Sequence, residues 1–359
     1  MPQNMNTITF KHHFKMNRYI KTQWLMIVSC TISCLWMDKA QAQDPHFSQY
    51  FASPMTLNPS LIGKNVTDWR AAINFRTQWW GTGFSPYTTS TISVEKRLSS
   101  SKSNNNYLAI GLMLLSDQSN NSLLKDNYLT AGVAYNKSLD ADGSEQFGAG
   151  LSFTYANRLL DQSKFKFQTQ FGSMGFQREA PTNDVVILSK NNYVEVNAGV
   201  NYSKNNKTNG YRVGAGYFHA SKPKIGAFGN SQYSVEPRLS VQASGWLQLA
   251  GKNEVHVSTN SEFQGGFQIF TLGGIYKLKI EGDDTIESIN IGCFKRFADA
   301  FYPYIGLEAN NWVAAISYDV ISNDLKSAYN SVQSLELSLV WQFAAKKFAT
   351  NAPVKPVYY

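Results

Sequence analysis

The chain has 359 residues, of which 43% are hydrophobic, 14% aromatic and only 16% charged. This composition excludes an intrinsically disordered chain and leaves enough apolar residues for a sizeable core. The mean hydropathy is −0.30, and after the N-terminus no uncharged apolar run reaches the ~18 residues that a spanning helix requires. If the chain crosses a membrane, it must therefore cross as strands.

Residues 1–42 predict an export signal. Basic residues lead into the apolar run from Trp24 to Met37, and Ala40-Gln41-Ala42 offers a small-residue cleavage site, so we expect cleavage after Ala42. Two alternatives stay open: translation starts at Met5 or Met16 rather than Met1, or the segment is an N-terminal helix of the folded domain.

The leader also holds Cys30 and Cys34, together with five basic residues and one acidic residue. A lipoprotein signal, with Cys30 as the lipidated residue, is an alternative to cleavage after Ala42. With cleavage, the mature chain keeps Cys293 alone and can form no internal disulfide, and its formal net charge falls from +8 to +4. This small charge argues against nucleic acid as a partner.

Residues 43–67 predict a non-strand N-terminal arm. Pro45, Pro54 and Pro59 cannot donate to a strand ladder. The aromatic residues Phe47 and Tyr50 require burial. We therefore expect the arm to dock at the periplasmic mouth of a barrel or to enter its lumen as a plug.

The first predicted strand begins at Trp69 and alternates with a period of two. Its apolar face carries Trp69, Ala71, Ile73, Phe75, Thr77 and Trp79, and its other face carries Arg70, Ala72, Asn74, Arg76 and Gln78. Ten residues of tilted strand span a height of ~25 Å, which is the height of the apolar band of an outer-membrane barrel. The sequence therefore predicts an all-β fold, a transmembrane antiparallel β-barrel over residues 68–345 with a tail at 346–359.

Strand-length segments with one apolar face recur along the chain, up to a last strand at Leu335 to Phe343. Glycine and small polar residues occupy many of the second faces, which suits a crowded or hydrated lumen. The count is about 14 strands, with Lys164 to Phe171 as the doubtful one inside an irregular stretch from Asn157 to Asn192. This stretch and the connection from Ser221 to Glu236 are expected on the extracellular side. The competing interpretation, a soluble sandwich, has to explain apolar stripes on nearly every segment.

Aromatic residues near the ends of apolar faces predict two membrane girdles. The candidate girdle residues are Trp69, Trp79, Tyr155, Tyr202, Trp312 and Trp341.

The sequence predicts no catalytic residues, no cofactor and no metal. His219 and His256 lack a serine motif to pair with, and we interpret His219 as an interface histidine on the apolar face of its strand. Asp140-Ala141-Asp142-Gly143 and Asp283-Asp284 are interpreted as hairpin turns rather than calcium loops. The charged residues on the lumen faces are expected to pair with one another rather than to line a selective pore.

Short motifs along the whole mature chain resemble the PorP/SprF family of outer-membrane proteins of the type IX secretion system and its gliding machinery. The N-terminal motifs are Asp44-Pro45, Phe47-Ser48-Gln49-Tyr50, Asn58-Pro59 with Gly63, Arg76, Gln78-Trp79 and Pro86. The C-terminal motifs are Arg296-Phe297, Asp299-Ala300, Tyr302-Pro303-Tyr304, Gly306-Leu307-Glu308, Ser317-Tyr318-Asp319 and Leu335-Glu336-Leu337-Ser338. The chain departs from the family pattern at Ser60-Leu61-Ile62, at Phe75 and in Phe167 to Phe171.

The resemblance implies an outer-membrane component that supports export or surface anchoring of cargo proteins, together with other type IX secretion components and periplasmic proteins. It implies no enzyme. The arm then becomes the candidate contact for a periplasmic partner, through Asp44, Pro45, Phe47, Tyr50, Asn58 and Pro59. A passive or solute-specific outer-membrane channel and an outer-membrane hydrolase are the alternative functions.

Overall fold

The computed structural model describes residues 44–64, 68–80, 85–99, 105–119, 122–161, 164–181, 189–225, 233–280, 282, 285–322 and 333–343. The predicted leader (1–42), the predicted tail (346–359) and the predicted turn at Asp283-Asp284 lie outside the described residues. Within the described ranges, no helix is long and apolar enough to cross a membrane.

The secondary structure is almost entirely strand. The strands are β1 (Trp69–Trp80), β2 (Tyr87–Ser99), β3 (Tyr107–Ser119), β4 (Leu124–Ser138), β5 (Glu145–Leu160), β6 (Phe171–Gly172), β7 (Gly175–Phe176), β8 (Ser189–Asn205), β9 (Asn209–Phe218), β10 (Lys224–Ile225), β11 (Tyr233–Ser234), β12 (Arg238–Gln248), β13 (Glu254–Gln264), β14 (Phe267–Lys279), β15 (Ser288–Arg296), β16 (Ala300–Ala309), β17 (Trp312–Ile321) and β18 (Gln333–Phe343). The helical turns are Tyr50–Ala52, Pro54–Leu57, Pro59–Leu61, Gln168–Gln170 and Ala250–Lys252.

Fourteen of these strands form a closed barrel, in the order β1-β18-β17-β16-β15-β14-β13-β12-β9-β8-β5-β4-β3-β2. Neighbouring strands are antiparallel, and the barrel closes where β1 pairs with β18, with Ile73 opposite Leu339. The predicted barrel and its strand number are confirmed. The doubtful segment Lys164 to Phe171 adds no barrel strand, because it forms a helical turn followed by the small β6–β7 hairpin. The irregular stretch is also shorter than predicted, since 157–160 pairs with 189–192.

The barrel is apolar outside and polar inside. In β1 the outward Ile73 and Phe75 are 47% and 42% exposed, whereas the inward Asn74 and Arg76 are 0% and 1% exposed. The same alternation recurs around the sheet, for example in β3 and β18. This inverted pattern needs a hydrocarbon cover on the outside, as in a membrane barrel.

The two ends of the barrel differ. At one end, here called the terminal mouth, β1 begins at Trp69 and β18 ends at Phe343, and no connection between barrel strands is longer than 280–287. At the other end, here called the loop mouth, the connections 265–266 and 297–299 are short, but 161–188, 219–237 and 322–332 are long. The asymmetry is that of outer-membrane barrels, which place long loops outside and short turns in the periplasm.

The candidate girdle residues lie at both ends of the outer face. Trp69, Tyr202, Trp312 and Trp341 lie toward the terminal mouth, and Trp79 and Tyr155 toward the loop mouth. Trp79 has a φ of 61° at a shift in register between Gln78 and Trp80, so a bulge ends the regular alternation there. The membrane-girdle role of these residues stays a prediction.

The described part of the predicted arm, residues 44–64, contains no strand, as predicted, and is called the arm from here on. It lies inside the barrel, because its backbone and side chains contact inward-facing side chains of strands on several sides of the lumen. Of the two predicted positions, the plug in the lumen is the one observed.

Candidate functional site in the barrel lumen

One side of the arm packs on an aromatic wall. Tyr50 and Phe51 lie against Phe294 of β15, with ring centroids 6.2 and 5.6 Å apart, and Phe51 also meets Tyr304 edge-on at 5.6 Å. Phe294 in turn stacks on Tyr302 at 5.3 Å. These rings are 8% exposed or less, so each contributes the large apolar burial that anchors interfaces.

The opposite side of the arm packs on the first barrel strands. Met55 and Ile62 lie in a buried cluster with Tyr107, Ala109 and Met113. Ile62 is 0% exposed. The arm therefore bridges two walls of the barrel through apolar contacts, which accounts for its buried position despite a polar lumen.

A line of inward-facing glycines makes room for the middle of the arm. The members of this glycine track are Gly111, Gly132, Gly150, Gly199 and Gly216, on β3, β4, β5, β8 and β9. They are neighbours across the sheet, since Gly111 pairs with Gly132 and Gly199 pairs with both Gly150 and Gly216. A Cβ at Gly199 would overlap the side-chain oxygen of Asn58, and a Cβ at Gly150 would lie 2.5 Å from the carbonyl oxygen of Pro59. Only glycine allows the arm this close to the wall.

Two consecutive peptide groups of the arm bind one buried carboxylate. The backbone N–H groups of Ser48 and Gln49 donate to the two oxygens of Glu336, at 2.6 and 3.0 Å. The Gln49 amide donates to Ser317 and accepts from Ser338, at 3.1 and 2.6 Å. This clamp recognises a Ser-Gln dipeptide through its backbone and both side chains, with charge-assisted bonds at its centre.

Arginines of the wall complete the clamp. Arg76 and Arg296 both donate to Asp319, at 2.8 and 2.6 Å. Asp319 accepts from the hydroxyl of Ser48 at 2.8 Å, and Arg76 also donates to the carbonyl oxygen of His46. Arg76, Asp319 and Glu336 are all 2% exposed or less, so the network holds buried charges that are paired.

Asn58 holds the turn in the middle of the arm. Its amide donates to the Val200 carbonyl at 3.0 Å and to Gln242 at 3.1 Å, while its oxygen accepts from the Ser60 N–H at 2.9 Å. It therefore caps the Pro59–Leu61 turn and ties it to β8 and β12.

Asp44, the first described residue, lies at the loop mouth. It accepts from His219 Nε2 at 2.6 Å, pairs with Arg238 Nε at 3.0 Å and donates its backbone N–H to Gln264 at 3.0 Å. The other ring nitrogen of His219 contacts Glu195. We call Asp44, His219 and Arg238 the latch.

The contacts within the latch shift the pKa values of Asp44 and His219. Burial by itself would raise the pKa of Asp44, but His219 and Arg238 outweigh it and lower the pKa. Burial by itself would lower the pKa of His219, but the carboxylates of Asp44 and Glu195 outweigh it and raise the pKa to about 9. The latch is therefore an ion pair at neutral pH.

The last residues of the arm lie near the terminal mouth. The Gly63 N–H donates to Glu95 at 2.8 Å, and Glu95 pairs with Arg70 at 2.6 Å. Lys64 donates to Gln146 at 2.7 Å. The arm thus runs the length of the lumen from Asp44 to Lys64.

The arm leaves two cavities beside it. One, of about 470 Å³ including its opening, lies near the latch and is lined by Met55, Met113 and Phe218, among others. The other, of about 460 Å³, is lined by Tyr50, Leu57 and Gln242, among others. In the part of the chain that the structure describes, no cluster of His, Cys, Asp and Glu is arranged to hold a metal ion.

The predicted partner-contact residues are mostly enclosed. Phe47, Tyr50, Asn58 and Pro59 are buried in the lumen, and Asp44 and Pro45 are half-buried. Their contact with a partner stays a prediction, and it requires the arm to leave the lumen.

The interpretation of His219 as an interface histidine is wrong. The residue follows the end of β9 with a φ of 57°, which turns its side chain away from the apolar face and into the latch, where it is 4% exposed. His256, by contrast, lies on the lumen face beside Glu254 as expected, at 3.0 Å.

The predicted mutual pairing of the lumen charges is confirmed for several of them. Arg70 pairs with Glu95, Glu308 with Lys277, and Arg238 with Glu262 at 3.1 Å. The sequence reasoning missed that the arm shares these charges. The available signal was the set of family motifs: Ser48-Gln49, Arg76, Arg296, Asp319 and Glu336, far apart in the sequence, all meet in the clamp.

A closed strand barrel with an apolar exterior and a filled polar lumen defines an integral β-barrel membrane protein. The sequence family described as type IX secretion system membrane protein PorP/SprF matches residues 39–341. The chain therefore belongs to the PorP/SprF family. The family and the barrel together support an outer-membrane location.

None of the curated proteins matches the chain. Similar solved structures include the Ralstonia pickettii toluene transporter TbuX, with 10% identity over 82% of this chain and 94% of that chain and a TM-score of 0.47. They also include the P. putida toluene transporter TodX, with 8% identity, coverage of 80% and 93% and a TM-score of 0.45. A Pseudomonas aeruginosa FadL homologue has 11% identity, coverage of 80% and 93% and a TM-score of 0.43.

Proposed function

We propose that this protein is the outer-membrane barrel component of a type IX secretion machinery, or of its gliding-associated form, and that it supports export or surface anchoring of cargo proteins. Its leader is cleaved near Ala42 on the way to the outer membrane. Its partners are other secretion components, periplasmic proteins and the secreted cargo. The observation that carries this proposal is the family match over residues 39–341.

The filled lumen favours this role over that of a passive or solute-specific channel. A porin-like path needs a continuous aqueous lumen. Here the arm crosses the lumen from Asp44 to Lys64 and is held by buried hydrogen bonds at Ser48, Asn58 and Gly63. A lumen that is occupied by the chain's own arm offers no such open aqueous path.

The test is affinity purification of the tagged protein from cross-linked outer membranes, with the partners identified by mass. Recovery of secretion components and cargo supports the proposal. Recovery of a correctly inserted barrel with none of them contradicts it.

The same purification tests the arm. A variant that lacks residues 44–63 is compared with a variant that lacks the exposed β6–β7 hairpin. Selective loss of periplasmic partners from the arm variant supports a partner contact of the arm, and equal recovery from both variants counts against it.

A further inference from the structure

The direction of the arm through the barrel bears on where the mature chain begins. Residue 64 must connect to Trp69, which lies at the terminal mouth beside Phe343. The end of the arm therefore lies at the mouth where the barrel strands begin and end.

The two ends of the arm contact opposite mouths, although the path between them is not straight, because the carbonyl oxygen of Ala52 still accepts from Arg70 near the start of β1. Lys64 and Gly63 bind Gln146 and Glu95, at the starts or ends of strands that face the terminal mouth. Asn58 binds Val200 and Gln242, in the middle of β8 and β12.

The first residue lies at the opposite end. Asp44 binds His219, which follows the end of β9, Arg238, which begins β12, and Gln264, which ends β13. All three positions lie at the loop mouth, beside the connection 219–237. The arm thus spans the lumen, and its first described residue, Asp44, lies at the loop mouth.

We propose that the mature amino terminus is displayed on the cell surface, at the outer mouth of the barrel, and that the latch holds it there. This rests on the outer-membrane location in the proposed function and on the rule that long loops face outward. The amino terminus is then an outer element beside the long loops, whereas the carboxyl end of β18 faces the periplasm.

Labelling of single cysteines in intact cells tests this. In a Cys293→Ser background, Gln43→Cys reports on the amino terminus. Met174→Cys, at an 88% exposed position of the β6–β7 hairpin, reports on the loop mouth, and Lys207→Cys, in an exposed turn, reports on the terminal mouth. The probe is a membrane-impermeant biotin maleimide, applied before and after permeabilisation of the outer membrane.

We expect Gln43→Cys and Met174→Cys to label fully in intact cells and Lys207→Cys to label only after permeabilisation. If Gln43→Cys labels only after permeabilisation, as Lys207→Cys is expected to do, the threaded arm is overturned. Labelling of Lys207→Cys but not Met174→Cys in intact cells would overturn the orientation. If the chain is missing from the outer-membrane fraction, the proposed function itself fails, which the fractionation reports separately.

A second variant covers a poorly reactive Gln43→Cys. An epitope inserted between Gln43 and Asp44 is detected with an antibody on intact cells, against the same epitope inserted at Lys207. Binding at the amino terminus alone supports the proposal. No binding at either site in intact cells, with binding at both after permeabilisation, contradicts it.

Discussion

At the scale of single residues, several buried polar groups of the lumen bind the arm. Glu336 shows this most clearly, because both of its oxygens accept backbone N–H groups of Ser48 and Gln49 while it is 1% exposed. A buried carboxylate without such donors would be strongly unfavourable. At this point the backbone N–H groups of the arm and the carboxylate of the barrel wall thus satisfy each other's hydrogen bonds.

The latch gives a prediction for pH dependence. The folded pKa of His219, about 9, lies above its unfolded value of about 6.5, so its contribution to stability is complete below pH 6.5 and is lost as the pH rises through 9. The pKa of Asp44 is lowered, so its contribution is present above its unfolded value and is lost as the pH falls. The latch therefore contributes most to stability at pH values above the unfolded pKa of Asp44 and below the unfolded pKa of His219.

We expect His219→Gln to lower the free energy of unfolding at pH 6 by up to about 3 kcal/mol. The difference in the free energy of unfolding between His219→Gln and the wild type should disappear as the pH rises from 7 to 10. The measurement is the thermal midpoint of the heat-modifiable mobility of the barrel on gels. Asp44→Asn is the companion variant, in which the alkaline loss should be smaller than in the wild type. A gap for His219→Gln that stays constant with pH would contradict an ion pair at the latch.

At the scale of elements, the strands that carry the glycine track leave space for residues 58–62 of the arm. Gly199 meets Asn58, Gly150 meets Pro59 and Gly132 meets Ile62. These glycines leave a groove across five strands that side chains would otherwise fill.

Gly199→Ala should therefore loosen the arm. Its Cβ would overlap Asn58, and overpacking of this kind destabilises by about 1–3 kcal/mol. We expect faster backbone hydrogen exchange in residues 54–64 and little change in the barrel strands. The matched control is Gly245→Ala, whose Cβ would lie 3.4 Å from the nearest atom, the Gly210 carbonyl oxygen. Equal exchange in both variants would argue against close contact between arm and track.

At the scale of the whole molecule, the barrel and its arm form one closed body. The clamp joins the arm to β18, Asn58 joins it to β8 and β12, and the aromatic wall joins it to β15 and β16. A barrel of this strand number would otherwise enclose an aqueous lumen.

Removal of the arm should open that lumen. In planar bilayers we expect no stable unit current from the wild type and a steady current from a variant that lacks residues 44–63. A variant without the β6–β7 hairpin keeps the arm and should stay silent. A wild type that conducts as well as the arm variant would favour the channel alternative.

The strands, their number and the sign of each face were predictable from the sequence. The alternation of apolar and polar residues can be read within each strand. A shift of one residue would exchange the hydrocarbon-facing and lumen-facing side chains of the whole strand, so the assignment of faces is strongly constrained. The non-strand arm was also predictable from the local sequence, because Pro45, Pro54 and Pro59 cannot donate to a strand ladder. The pairing of lumen charges followed from the high free energy of an unpaired buried charge.

The path of the arm was decided by the tertiary structure alone. Ser48 meets Glu336 across 288 residues of sequence and Asp44 meets His219 across 175, and no local pattern encodes such partners. The orientation of His219 depended on one left-handed backbone residue at the end of β9. The sequence by itself determined a membrane barrel with an arm to bury; which mouth the arm starts from was set by long-range packing and charge, because those forces act only once the barrel has brought the distant strands together.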